Sequence, residues 1–421
     1  MSLALLSLLA LVLAILLSLV LRLNGGLLAL LLALAVALLG GRPLREVAAG
    51  FPTQVLLTLI GLTLLFAVAR HNGTLARMTG RAVVLCRGHA ALVPVLFFVL
   101  AVGLGTMGAG NIGAVALLAS PGMAAAAQVG VPPLLMAICI ASGGNAAALS
   151  PLSPTGVVAA ELLRRAGMPP VGWTLYVQCL LAHATAALVA YLVLGGPALL
   201  LRHRAQRERL AAVLATAEGP WRLAHWATVA VLLLLLLGVA LLRADVGALA
   251  LLGAVGLCAC RLGDEEAALR DLPWGTIVLV CGMMTLVALL ERSGGTALLA
   301  GWLGHAGGPI RMLLLVGLLT GLLSVWSSSV GVVLPAFLPL VPALAQRTGA
   351  DPVALASAVC VGAHLVDVSP LSTLGALCLA HAPAQVDRTA LYRHLLVWGL
   401  SMTLFGALYC GLVFGVLGQP R

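Results

Sequence analysis

The chain contains no lysine, and all 23 of its basic residues are arginine. A phosphate-binding loop of the G-x-x-x-x-G-K-[ST] type is therefore excluded, and so is a Ser/Lys catalytic pair. Charge of either sign is scarce. Asp and Glu together number 13, and charged residues make up only 9% of the chain, against roughly 25% in an ordinary soluble domain. The nine cysteines fall mostly inside apolar runs, with no C-x-x-C pair and no histidines at zinc-finger spacing. They read as small buried hydrophobes, not as metal ligands. The first apolar run, Met1–Leu21, lacks a basic start and an A-x-A-like cleavage site, so it reads as a retained span.

What the chain has instead is apolar sequence. Hydrophobic residues make up 62% of it and the mean hydropathy is +1.15, which places it in a lipid bilayer. At about 20 residues per span, 421 residues accommodate ten spans and some re-entrant pieces. The net charge of +10 does not point to nucleic acid, because the arginines sit between apolar runs, where they set topology.

Polar punctuation divides the chain into an all-α polytopic membrane protein of two halves. The first, 1–201, has scaffold spans over 1–69, a basic amphipathic arm at 70–88 and a re-entrant hairpin at 89–127. A broken span at 133–167 and a span at 173–200 complete it. A polar linker occupies 202–223. The second half, 224–421, has scaffold spans over 224–291, an arm at 292–308 and a hairpin at 309–345. A broken span at 352–382 and a last span at 393–417 follow.

The halves match in sequence as well. Ser150-Pro151-Leu152-Ser153 with Gly156 recurs 219 residues later as Ser369-Pro370-Leu371-Ser372 with Gly375. Pro52 and Gly61 fall opposite Pro273 and Gly282 at an offset of 221, and Gly113 falls opposite Gly331 at 218. Five spans per half is an odd number, so the second half runs inverted, the plan of many secondary transporters. With the N-terminus outside, 14 arginines face the cytoplasm and nine face out. That bias puts both termini outside and the 202–223 linker inside.

Four polar clusters interrupt the apolar sequence. The first tip holds Thr106, Gly108, Gly110 and Asn111; the second holds Ser324 and Ser327, Ser328 and Ser329. The first break holds Ser142, Asn145, Ser150, Ser153 and Thr155; the second holds His364, Asp367, Ser369, Ser372 and Thr373. Irregular backbone at membrane depth survives only where it lines a cavity or is buried in protein. Ser before Pro caps a half-helix starting at Pro151 or Pro154, whose exposed N–H groups suit an anion. Freed carbonyls and hydroxyls suit a small hard cation. The alternatives are a small-residue packing face at the first tip and kinked helices without ligands in the second half.

Asp367 is the one acidic residue placed at membrane depth. A buried carboxylate there is costly, so it reads as a cation ligand or a protonation site; a bond to His364, three residues back, is the structural alternative. Neither tip nor break carries an arginine. An anion would be held by helix N-termini, hydroxyls and amides, with a coupling cation supplying positive charge. Bound phosphate is disfavoured, since arginine clamps are usual for it.

Gly50-Phe51-Pro52, Gly110-Asn111-Ile112-Gly113, Ser150-Pro151-Leu152-Ser153 and Asp367-Val368-Ser369-Pro370 resemble the malonate/dicarboxylate carriers of the MatC type. These belong to the ion-transporter superfamily, which includes the divalent anion/sodium symporters. The resemblance implies a homodimer with a scaffold of spans 1–3 and 6–8. The hairpins and remaining spans would form a mobile part that slides against it, elevator-fashion. The chain departs from the symporters' Ser-Asn-Thr tips, carrying Gly110-Asn111-Ile112 and Ser328-Ser329-Val330.

The expectation is a transporter of a small dicarboxylate, malonate- or succinate-like, in a bacterial inner membrane. Coupling is to Na+ or H+, with no cofactor beyond such an ion and no nucleic-acid partner. Substrate contacts are expected from Thr106, Gly110, Asn111, Ser150, Ser153, Thr155, Ser328, Ser329, Ser372 and Thr373. Cation coupling is expected from Gly108, Asn111, Ser142, Asn145, Ser327, Ser329, His364, Asp367 and Ser369. A cation/proton antiporter or inorganic oxyanion carrier on the same fold is the alternative; an intramembrane enzyme, with only His364/Asp367 as a candidate pair, is remote.

Overall fold

The computed structural model describes residues 2–78, 90–199, 220–242, 244–304 and 307–418. The arm beyond Met78 and most of the 202–223 linker lie outside the described residues. Helix accounts for 82% of the described residues and no strand occurs among them, so the protein is all-α. Nine described helical stretches are long and apolar enough to cross a membrane. Shorter apolar helices, Gly25–Leu39, Pro133–Ala146 and Val246–Ala259 among them, fill in the pattern.

The two halves interlock through their second and third spans. Thr53–His71 packs on Val246–Ala259 of the other half, and Trp274–Arg292 packs on Gly25–Leu39. Both contacts rest on facing glycines. A Cβ at Gly282 would lie 2.1 Å from the Gly26 carbonyl oxygen, and one at Gly61 would lie 2.4 Å from that of Gly247. The pairs Gly26–Gly282 and Gly61–Gly247 exchange under the internal repeat. Lipid supplies no hydrophobic drive between helices, so backbones brought together by small residues carry the association.

Capping follows the same symmetry. Asn24 accepts the Gly26 amide at 2.9 Å and donates through Nδ2 to the Gly275 carbonyl at 2.7 Å. In the other half Asp245 accepts the Ala248 amide at 2.8 Å, and its Oδ2 accepts from Gln54 Nε2 at 2.6 Å. Each cap thus ties one half's second span to the start of the other half's third.

Leu92–Leu104 and Gly110–Val129 pack on each other and both lie along Pro133–Ala146, so they form a hairpin. Gly108 (φ +116) and Gly110 (φ +69) make its turn with torsions that other residues rarely adopt. In the second half, Pro309–Trp326 ends at Ser327 and Ser328, whose backbones are extended. The chain then returns through Ser329–Val333 to Val341–Thr348, alongside Pro352–Leu365.

The interlock makes a stability prediction. Gly282→Ala should destabilise the detergent-purified protein by about 1–3 kcal/mol through overpacking, read as a lower thermal midpoint. Gly256→Ala, whose added methyl meets nothing within 4 Å, should leave the midpoint unchanged or raise it slightly.

Candidate functional site

The repeated Ser-Pro-Leu-Ser blocks fold into the same knot in both halves. Ser153 caps Pro154–Arg165, accepting the Gly156 amide at 3.1 Å while its hydroxyl reaches the carbonyls of Ala148 and Ser150. Ser372 reaches the carbonyls of Asp367 and Ser369 in the same way. The half-helix starts at Pro154, not Pro151. The glycine three residues on is a packing requirement, since a Cβ at Gly156 would sit 1.9 Å from Ser150 O and one at Gly375 2.2 Å from Ser369 O. Ser150 donates to Thr106 O at 2.9 Å, which ties the first break to the first tip.

A polar chain then crosses between the halves. Asn111 Nδ2 donates to Asn145 Oδ1 at 2.9 Å, and Asn145 Nδ2 donates to the His364 carbonyl, also at 2.9 Å. Asn145 and His364 are fully buried. The second tip and break meet at Ser329. Its Oγ lies 2.8 Å from Asp367 Oδ2, 2.7 Å from Ser324 Oγ and 3.2 Å from Ala363 O. With one proton to give, Ser329 can donate to the carboxylate while accepting from Ser324. Asp367 therefore bonds to Ser329 across the hairpin and not to His364, whose Nδ1 lies 2.8 Å from Cys360 O. The expected alternative of an Asp367–His364 bond is corrected on this geometry: His364 turns back along its own helix.

A cavity of about 490 Å³ opens where both tips meet the second break. Asn111, Ser327, Ser328, Ser329, Asp367, Ser372 and Thr373 line one wall. Ser18 of the Leu3–Leu21 helix lines the other, with Asn24 and Thr276 at the starts of interlocked spans. A smaller cavity of about 190 Å³ adjoins it, sharing Asn111, Ile112, Thr276 and Val330 and adding Gly110, Thr155, Arg70 and Asp271. Among the described residues no group of three His, Cys, Asp or Glu side chains is placed to hold a metal ion.

The remaining expected residues stand behind these walls. Ser142, Asn145, Ser150, Ser153, His364 and Ser369 are buried and line neither cavity. Thr106 Oγ1 is paired with Tyr176 Oη at 2.8 Å, and Gly108 is packed under Phe66 and Leu152. Their part in the site is to hold the breaks in shape.

Sequence reading missed the scaffold wall and one ion pair. Arg70 Nη2 lies 2.7 Å from Asp271 Oδ2, and His71 Nε2 lies 2.8 Å from the same oxygen. Arg70 and Asp271 stand at span ends 201 positions apart, where a charge is read as a topology signal.

The sequence profile of the citrate transporter family matches residues 9–362. The chain belongs to that family. Citrate transporter family proteins fall within the ion-transporter superfamily and are transporters, not enzymes. A segment of 117 residues is 31% identical to the uncharacterized transporter YfbS of Escherichia coli (strain K12), covering 27% of this chain and 19% of YfbS. The YdaH transporter of Alcanivorax borkumensis superposes with a TM-score of 0.57 at 17% identity, over 89% of this chain and 88% of that one. MtrF of Neisseria gonorrhoeae, described as one of a class of antimetabolite efflux pumps, gives 0.54 at 14% identity, over 90% and 84%. At these identities the two structures share the fold with this citrate transporter family member.

The polar chain makes its own prediction. Asn145→Ala would take the side-chain donor from the fully buried His364 carbonyl, at about 1–3 kcal/mol. Its thermal midpoint should fall well below that of Asn111→Ala, which borders the cavities where water can replace the lost bond.

Proposed function

We propose that this secondary transporter carries a small di- or tricarboxylate through the larger cavity by an elevator motion, coupled to Na+ or H+. The observation that carries the reading is the cavity itself. Both tips and the second break converge there, with hydroxyls, an amide and one carboxylate, at a volume suited to a small organic ligand. The N-terminus of Thr373–Ala380 opens onto it through Ser372 and Thr373, which favours an anion. The first three spans of each half would form the scaffold of a homodimer, and the hairpins and broken helices the part that moves.

Sodium is the favoured coupling ion. Ser324, Ser329, the Ala363 carbonyl and Asp367 gather oxygens in one place, the donor set of a hard cation. Arginine placement supports the orientation. Over the whole sequence 14 arginines are expected on the face opposite the termini against nine on theirs, and on that count we read the opposite face as cytoplasmic. Asn24 and Thr276, at span ends on that face, line the cavity mouth, so the site faces inward.

Radiolabelled succinate, malonate and citrate uptake into proteoliposomes, with sodium and proton gradients imposed separately, tests the function. Accumulation under neither gradient would sink it. Asp367→Asn should require far more sodium for half-maximal uptake with little change in pH dependence. If it instead abolishes pH-driven uptake while substrate exchange survives, the coupling ion is the proton. For orientation, on a Cys-free background, Leu44→Cys should label with an impermeant thiol reagent in intact cells and Leu269→Cys should be protected. The reverse pattern inverts the assignment.

A further inference from the structure

The larger cavity offers an anion only neutral donors, which suits one carboxylate. The smaller cavity beneath the first tip holds a cation. One stripe of the Thr53–His71 helix faces it (Leu59, Thr63, Phe66, Ala67 and Arg70), and only the last of these is charged. Arg70 shares that cavity with Gly110, Asn111 and Thr155, so a guanidinium stands beside the first tip and the start of the first half-helix. Its planar fork of donors matches a carboxylate in both charge and geometry.

In this conformation the guanidinium already holds a carboxylate, that of Asp271. The Arg70 and Asp271 side chains are 40% and 42% exposed, and an ion pair that wet is weak. Replacing one carboxylate by another on Arg70 therefore costs little. Asp271 would not be stranded either, because His71 lies within hydrogen-bonding distance of the same oxygen and solvent reaches the rest.

We propose that Arg70 recognises the second carboxylate of the transported anion, and that Asp271 occupies the guanidinium while the site is free of substrate. The inference rests on the anion-transport reading above and deepens it. Arg70 becomes the residue that selects di- and tricarboxylates over monocarboxylates, and Asp271 an internal competitor that sets the affinity.

The test uses the full chain in proteoliposomes, with uptake of radiolabelled succinate and citrate and inhibition of that uptake by the monocarboxylate acetate. Arg70→Gln removes a charge-assisted contact and should raise the KM for succinate and citrate by about tenfold to a hundredfold. Inhibition by acetate should stay as in the wild type, so the preference for two carboxylates collapses. Arg70→Lys should recover part of the loss. Asp271→Asn frees the guanidinium and should lower the succinate KM several-fold, deciding the matter even if Arg70→Gln fails to fold. If Asp271→Asn raises the succinate KM instead, or Arg70→Gln weakens acetate and succinate in proportion, the pair is a structural tie and the proposal falls. Wild-type protein that accumulates none of these anions overturns the transport reading as well, an outcome distinct from both.

Discussion

A helix broken inside a bilayer has no water to receive its backbone groups, so every freed amide and carbonyl must find a partner within the chain. The rest of this molecule is arranged around that constraint. Each break is closed by one serine that reaches the freed carbonyls (Ser153, Ser372), by another that accepts a freed amide (Ser150, Ser369), and by a glycine that lets the returning backbone come close enough. The first tip is tied to the first break through Ser150. The second tip is tied to the second break through Ser329 and Asp367. Ser328, Ser372 and Thr373 border the cavity, with the Ser372 hydroxyl also bonded to the carbonyls of Asp367 and Ser369.

Duplication supplied two such frames, and they have diverged in a useful direction. Under the repeat Asp367 falls opposite Ala148, His364 opposite Asn145, and Ser329 opposite Asn111. The first frame is built of amides and carries no charge. The second holds a carboxylate beside hydroxyls. The two frames thus set a neutral polar group beside an acidic one. On the proposed reading the first suits an anion and the second a cation, and coupling requires that each ligand change the other's binding free energy.

Much of this was legible in the sequence, and the reason is physical. Glycine, proline and serine are conspicuous in apolar runs because lipid tolerates no idle polar group. The Ser-Pro-Leu-Ser-x-x-Gly blocks therefore marked the breaks, and the glycines at 61 and 282 marked the internal repeat. Asp367 stood out for the same reason. What stayed hidden were contacts whose members look ordinary alone. Arg70 and Asp271 sit at span ends, where charges are common, and only the fold sets them together. Asn24 drew no notice in the sequence, yet it caps one half, grips the other through Gly275 and lines the cavity. Serines are equally opaque: sequence cannot tell Ser153, consumed by its own backbone, from Ser372, which also lines the cavity.

The placement of charge follows from what a carrier must do. A cluster of arginines at the tips would hold a polycarboxylate tightly in every conformation, and a ligand bound equally well in all states shifts none of them. In the proposed elevator, neutral donors at tips that move would let the anion leave. The strong charge stands instead at the end of the Thr53–His71 helix, already engaged by Asp271. If the tips move and this helix does not, the distance between Arg70 and the anion changes during the cycle. The electrostatic contribution is then greatest where substrate is exchanged and smallest after the tips have moved away. That difference, and not tight binding as such, is what allows one site to load on one face and empty on the other.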